Sequence, residues 1–362
     1  MDDTFVDGLY YDFDQDNLTA EVIAAPEDGI AYTGAISIPE KVEWFGKTYS
    51  VTSIGQSAFA ECDITSVSIP RSVNGIKASA FSHSKLNNID IPDGVESVGE
   101  SAFGDCKEIV SVYLGKEVSA IGKYAFAGCD KLTQFFISDE NTRFSVNDGV
   151  LYDYQGKTLI QMPGAKTMAK FPSTLERLGV ASMAGNQNIT TLSFPESLTY
   201  IDDEACMRCA ALNEIQLPSK TLSIGNAAFK DCSSVKHIRL GEKLMLIDDD
   251  AFSGMDNLAE IYVAAILPPS ISASTFSNYN AKLYVPVGRK NSYSSAQYWK
   301  KFSDIEESDM AGIETIIIDD STAFYDVYNS QGILVMRKAT ADDLRKLPSG
   351  IYIIGGKKVF LK

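Results

Sequence analysis

Along most of the chain, apolar positions recur in the same order every 22 or 23 residues. The stretches SIGQSAFAEC (53–62), GIKASAFSHS (75–84), SVGESAFGDC (97–106), AIGKYAFAGC (120–129), YIDDEACMRC (200–209), SIGNAAFKDC (223–232) and LIDDDAFSGM (246–255) share the pattern I-G-x-x-A-F-x-x-C. RLGVASMAGN (177–186) is a degenerate copy. The Ala of the Ala-Phe pair falls at 58, 80, 102 and 125, and its place recurs at 182, 205, 228 and 251. The wide gap between 125 and 182 holds one period plus an insertion of 34 residues.

A second phrase, L-x-x-I-x-I-P, follows each copy, as in ITSVSIP (64–70), LNNIDIP (86–92), LNEIQLP (212–218) and LAEIYV (258–263). Its last residues alternate apolar and polar, which predicts a short strand with one buried face. The proline that often follows has no N–H to give a ladder and ends the strand. A unit this short, with one strand and a few apolar anchors, cannot bury those anchors alone. Stacked in register, successive units form a solenoid around a continuous core. Each Phe is then expected to lie on the Phe of the next coil, and full burial of such a side chain stabilises by about 1.5–3 kcal/mol. The fold expected is therefore mostly β.

These two phrases resemble the BspA-type, or treponemal-type, leucine-rich repeat family over about residues 51–265. The resemblance implies a leucine-rich-repeat solenoid and a role in cell-surface adhesion, with host or matrix proteins as candidate ligands.

The flanks read as caps and a further domain. Residues 1–50 contain two alternating segments around Asp14-Gln15-Asp16-Asn17, a β-hairpin cap over the first coil of the solenoid at 51–265. Asp12, Asp14 and Asp16 imitate the opening of an EF-hand loop, but Asn17 and Ile23 stand where it needs Gly and Glu. A solvated turn is expected there, and no metal. The irregular insertion, 138–173, carries turn signals at Asn147-Asp148-Gly149 and Gln155-Gly156-Lys157 and reads as a longer rung. Residues 266–308 read as a closing cap with Tyr298, Trp299 and Phe302 as cover. In 309–362, Ile316 to Ile318, 323–337 and 347–362 read as strands of a small β-sandwich-like domain. Its DVYNSQG and LPSGIYIIGGKKV resemble the C-terminal secretion or sorting-type β domains of exported Bacteroidetes proteins, which implies export or surface anchoring.

Composition narrows the function. With a net charge of −16, the chain is not expected to bind nucleic acid or an anionic membrane. No apolar run approaches the roughly 20 residues that span a bilayer. The opening MDDTFVDG has neither a basic stretch nor an apolar one, so no export signal is legible, and a processed exported chain would read the same. There are only two histidines, His83 and His237, which disfavours His-based zinc sites and catalysis. No nucleotide-binding, nucleophile-elbow or metalloprotease motif occurs. No cofactor is expected.

The CMRC pair, Cys206 and Cys209, looks at first like a redox or metal motif. In register, however, Cys62, Cys106, Cys129, Cys209 and Cys232 all lie three residues after the Phe position, and Cys206 occupies that position itself. Buried thiols acting as small hydrophobes are expected.

The outward positions of the predicted strands form one face, the usual partner surface of a repeat protein. They put Tyr113 next to Phe136, and Glu214, Gln216, His237, Arg239, Glu260 and Tyr262 on three successive coils. Aromatic and arginine side chains are enriched in interface hot spots, so these eight are the candidate partner-binding residues. Packing on one another is the plainer alternative. The reading is an exported or cell-surface, non-enzymatic binding protein that recognises an extracellular protein or glycan. A structural scaffold is the alternative, and a carbohydrate-active enzyme a more distant one.

Overall fold

A computed structural model of the chain describes residues 4–308, 313–314, 324–329, 331–348, 350–354 and 357–361. It is a mostly β solenoid of stacked coils of about 23 residues, followed by a small β region. Each coil makes two strands, where the sequence pattern predicted one. The L-x-x-I-x-I phrase forms the expected strand, for example Asn88–Ile91, Ser111–Leu114 and Gln134–Ile137, paired in parallel. The residues before the Gly step form a second strand of two residues, as at Gly75–Ile76, Ser97–Val98 and Ala120–Ile121. Two residues are too few for a period-2 alternation to show in the sequence. The core lies between these long-strand and short-strand faces.

The Ala-Phe phrase turns the corner between them. Phe59, Phe81, Phe103 and Phe126 stack in one row, their centroids 5.1, 5.1 and 5.3 Å apart and their planes within 11°. A second row runs from Phe229 to Phe252 at 5.7 Å and on to Phe276 at 5.2 Å. The corner backbone is left-handed just before the Ala and again three residues after it, as at Ser101 and Asp105. For a residue with a side chain that conformation costs about 1–2 kcal/mol. Hydrogen bonds between coils hold it there. Ser101, Phe103 and Asp105 donate their N–H groups to the carbonyls of Lys123, Ala125 and Ala127 at 3.0, 2.8 and 2.7 Å.

The insertion is an antiparallel meander, Phe144–Asn147, Val150–Asp153 and Thr158–Gln161. Its last strand pairs in parallel with Arg177–Leu178, and Met168–Lys170 pairs with Thr191–Ser193 on the other face. The meander also divides the interior. Leu151 packs into the core of the first half, whereas Val150 and Tyr152 pack into that of the second.

At the N-terminus Leu9–Asp14 and Thr19–Ile23 form the expected hairpin. The Asp14 carboxylate closes its turn by accepting from the N–H groups of Asp16 and Asn17 and from Asn17 Nδ2 at 3.0, 3.0 and 2.7 Å. These bonds, from Asn17 first, hold its pKa below the usual carboxylate value. Towards the C-terminus the long-strand sheet continues through Lys282–Pro286 and Ile305–Ser308. Trp299 closes the core there, its Nε1 donating to the Pro269 carbonyl at 2.8 Å.

The described part of the C-terminal region is one five-stranded sheet, where the sequence suggested a sandwich. The helix Ala341–Arg345 supplies a second layer, with Leu344 buried beside Val327, Ile354 and Val359. The strand expected at 316–318 lies outside the described residues.

Candidate partner-binding face

Parallel pairing without slippage turns equivalent positions into columns. On the long-strand face Glu214, His237, Glu260 and Lys282 form one column, and Gln216, Arg239, Tyr262, Tyr284 and Glu306 the next. Six of the eight sequence-predicted residues thus meet in a single patch. Tyr113 and Phe136 pair with each other in register, but in a separate sheet before the insertion. Phe136 is 48% exposed, an open apolar ring, and Tyr113 is half-buried.

The columns are tied together by side-chain contacts. His237 Nδ1 lies 3.0 Å from Glu260 Oε2, and the Tyr262 hydroxyl donates to the same oxygen at 2.8 Å. The Arg239 guanidinium lies 4.3 Å from the centre of the Tyr262 ring, a cation–π distance. On its other side Tyr262 stacks on Tyr284 at 4.6 Å and 4°. Lys282 Nζ is 5.1 Å from the Tyr284 ring and 2.9 Å from Glu306 Oε1. Burial pushes the Tyr262 hydroxyl well above the usual phenol range, and the hydrogen bond to the Glu260 carboxylate adds to it. Burial lowers the Arg239 pKa, against the pull of Tyr262, Glu214 and Glu260.

Lys282, Tyr284 and Glu306 belong to this patch and were not among the predicted residues. The signal for Lys282 and Tyr284 was present in the alternation of AKLYVP, beyond the last recognisable Ala-Phe copy; Glu306 lies outside that stretch, in the strand Ile305–Ser308. The first coils differ, since Asn88 and Asp90 are exposed and the contact there is a polar one, Asn88 Oδ1 accepting from the N–H and hydroxyl of Ser111 at 3.2 and 2.9 Å.

A shallow depression of about 230 Å³ lies on the other side, beside the short strands, lined by Val180, Ile201, Asp202, Asp203, Ser223, Gly225 and Asp248. Burial raises the pKa of Asp202 against the opposing charge of Arg177, and raises that of Asp248 with help from Asp203 and Asp249. Among the described residues no group of three or more His, Cys, Asp or Glu is placed to hold a metal ion. Nor is any helix among them long and apolar enough to cross a membrane.

Residues 39–148 and 165–282 match the BspA type leucine-rich repeat region in six copies. The chain belongs to the BspA-type leucine-rich repeat family. Solved structures agree on the fold. The pneumococcal vaccine antigen PcpA is similar with a TM-score of 0.53 at 19% identity, over 83% of this chain and 96% of that one. A leucine-rich repeat protein from Eubacterium ventriosum is similar with a TM-score of 0.51 at 18% identity, over 84% and 92% of the two chains. No curated protein matches the chain. The small C-terminal sheet lies beyond the residues matched to the family.

Proposed function

We propose that this BspA-type solenoid is a secreted or cell-surface, adhesin-like binding protein without catalytic activity. Its long-strand face would recognise an extracellular partner, and the C-terminal domain would serve export or anchoring. One observation carries the reading. The patch of Glu214, Gln216, His237, Arg239, Glu260 and Tyr262 is half-buried, and contacts among His237, Arg239, Glu260 and Tyr262 hold these donors and this ring in place before any partner arrives. Preorganisation of this kind lowers the entropy cost of binding. Tyr113 and Phe136 would form a second contact.

The patch favours a protein partner over a glycan. A sugar stacks on an open aromatic face, but Arg239 and Tyr284 cover both faces of Tyr262. What remains is a ring edge, a hydroxyl and paired charges, which suit a polar protein surface.

The test is a screen of the purified chain against extracellular proteins and glycans, repeated with Arg239→Ala/Tyr262→Ala and with Tyr113→Ala/Phe136→Ala. Hot-spot truncations cost about 2 kcal/mol or more, so the first pair should weaken a true partner roughly 30-fold. A partner that neither pair affects would remove the site assignment. Turnover of any bound peptide or glycan would remove the binding-only reading.

A further inference from the structure

Among the described residues the corner ladder that locks successive coils together loses all three of its bonds at one interface. Where the Phe252 coil meets the next, the Asp250 and Gly254 N–H groups donate to Ser274 and Ser277 Oγ instead of to carbonyls. On either side of the gap the ladder is complete. Ser79, Phe81 and His83 donate to Glu100, Ala102 and Gly104 at 2.8, 2.7 and 2.9 Å, and Ala181, Met183 and Gly185 donate to Asp203, Ala205 and Met207 at 3.1, 2.8 and 2.8 Å. Between them, the equivalent N–H groups of Tyr124, Phe126 and Gly128 find no acceptor among the described residues. The inserted coil has no Ala-Phe corner to offer them. Its corner makes one backbone bond to the next coil, Met162 N–H to the Ser182 carbonyl at 2.8 Å. The ring row stops at the same place, where Phe126 meets Phe135 edge-on at 79°. The hydrophobic interior divides there too, at the meander strand Val150–Asp153.

One set of side chains spans the gap. The Tyr124 hydroxyl and the Lys123 ammonium both bond Glu204 Oε2, the latter at 2.5 Å. Glu204 does not belong to the next coil copy, 177–186, but to the one after it. Its side chain is only 20% exposed, so the contact is a partly desolvated one.

We propose that the solenoid consists of two rigid panels articulated at the insertion, and that the Glu204 carboxylate is the clasp that keeps the corner closed. In a repeat array, stability is approximately a sum of coil terms and nearest-neighbour interface terms. The interface that lacks its ladder bonds and its ring stack is the weakest and opens first. Motion about it changes the angle between the Tyr113–Phe136 pair on one panel and the Arg239–Tyr262 patch on the other. The articulation itself does not depend on what the face binds.

Distances between nitroxide labels on exposed positions test this, in a background with the partly accessible Cys62 replaced by Ser. Arg71 with Lys107 reports on the first panel, Lys220 with Asn280 on the second, and Lys107 with Lys220 spans the joint. The spanning pair is expected to give a broader distance distribution than either control, and Glu204→Ala to broaden it further. Glu108→Ala, which removes an exposed ion pair with Lys131 inside the first panel, should leave it unchanged. A spanning distribution as narrow as the controls overturns the proposal, as does one that Glu204→Ala leaves unaltered. If Glu204→Ala fails to fold, Tyr124→Phe deletes a single oxygen from the clasp and is judged by the same criteria.

Discussion

The thiol of Cys129 donates to the carbonyl of Phe103 in the preceding coil, 3.2 Å away. The same bond recurs from Cys106 to Phe81 at 2.9 Å, from Cys209 to Met183 at 3.2 Å and from Cys232 to Cys206 at 3.2 Å. In the degenerate copy Asn186 takes the position, and its Nδ2 donates to the Pro163 carbonyl at 3.2 Å. At these four positions the cysteine is therefore a small buried donor that ties its coil to the one before, whereas Cys62, expected to be buried, is half-buried and donates to the Ala60 carbonyl of its own coil at 3.4 Å. Cys206, in contrast, sits in the ring row.

It follows that Cys206→Phe should be tolerated better than Cys209→Phe. The first restores the side chain that most coils carry there. The second forces a ring into a fully buried site and removes a hydrogen bond, and overpacking alone costs about 1–3 kcal/mol. Thermal denaturation of the two variants checks the order, and equal losses would contradict it. Burial also pushes the Cys106, Cys129, Cys206 and Cys232 thiols above their usual pKa, which keeps the reactive thiolate scarce. Burial raises the Cys62 pKa as well, but Cys62 alone of the six is not fully buried, so a thiol reagent should reach it first in the native protein.

Close coil stacking explains some glycines but not others. A Cβ on Gly115 would lie 2.5 Å from the Pro92 carbonyl carbon and 2.6 Å from the Asp93 nitrogen, both backbone atoms that cannot rotate away. On Gly75 it would meet only Ser97 Oγ, at 3.5 Å, an ordinary contact. Gly115→Ala is expected to lower the melting temperature clearly, by about 1–3 kcal/mol of stability. Gly75→Ala should be neutral or stabilise by about 0.4–1 kcal/mol, since it restricts the unfolded chain. A Gly115→Ala variant as stable as the parent would mean that the coils can separate locally.

The sequence made some of this arrangement legible and hid the rest for identifiable reasons. Ala102 and Phe103 were readable because each coil needs a small and a large apolar residue in the same two slots. The coil that stacks Phe276 on Phe252 was not, because Thr275 stands in the Ala slot and breaks the template. The two columns of Glu260 and of Tyr262 followed from strand alternation, yet their continuation into Lys282 and Tyr284 lay past that broken copy. The contact of Tyr124 with Glu204 joins residues 80 apart and depends on how the insertion closes, which no local pattern records.

The acidic depression should make the protein more stable when one of its charges is removed. Asp248 faces Asp203 and Asp249, and burial together with their repulsion raises its pKa above the ordinary 3.8. A carboxyl whose pKa is raised by folding binds its proton more tightly in the native state. Its contribution is therefore fully present below the unfolded value and is lost as pH rises through the folded one. Asp248→Asn, neutral throughout, should raise the melting temperature at neutral pH and lose that advantage below the unfolded value. Melting curves across the acid range test it. A gain that persists unchanged into acid would place the effect in packing rather than charge.

The two tryptophans report on the first and second halves of the solenoid. Trp44 stacks on Phe13 of the N-terminal hairpin at 4.4 Å and 6°, and Trp299 is buried against Tyr293, Phe276 and Phe302. Trp44→Phe and Trp299→Phe variants each leave one fluorescent reporter. If the array were one cooperative unit, both would follow a single transition in denaturant. With the ladder interrupted at Tyr124, Phe126 and Gly128, each panel keeps its own core and coil interfaces, so the two midpoints should separate. Loss of the clasp in Glu204→Ala should widen the separation, because it removes a contact that makes each panel stabilise the other. Coincident transitions in both reporters, with and without Glu204, would mean that the meander between Leu151 and Tyr152 couples the two cores fully.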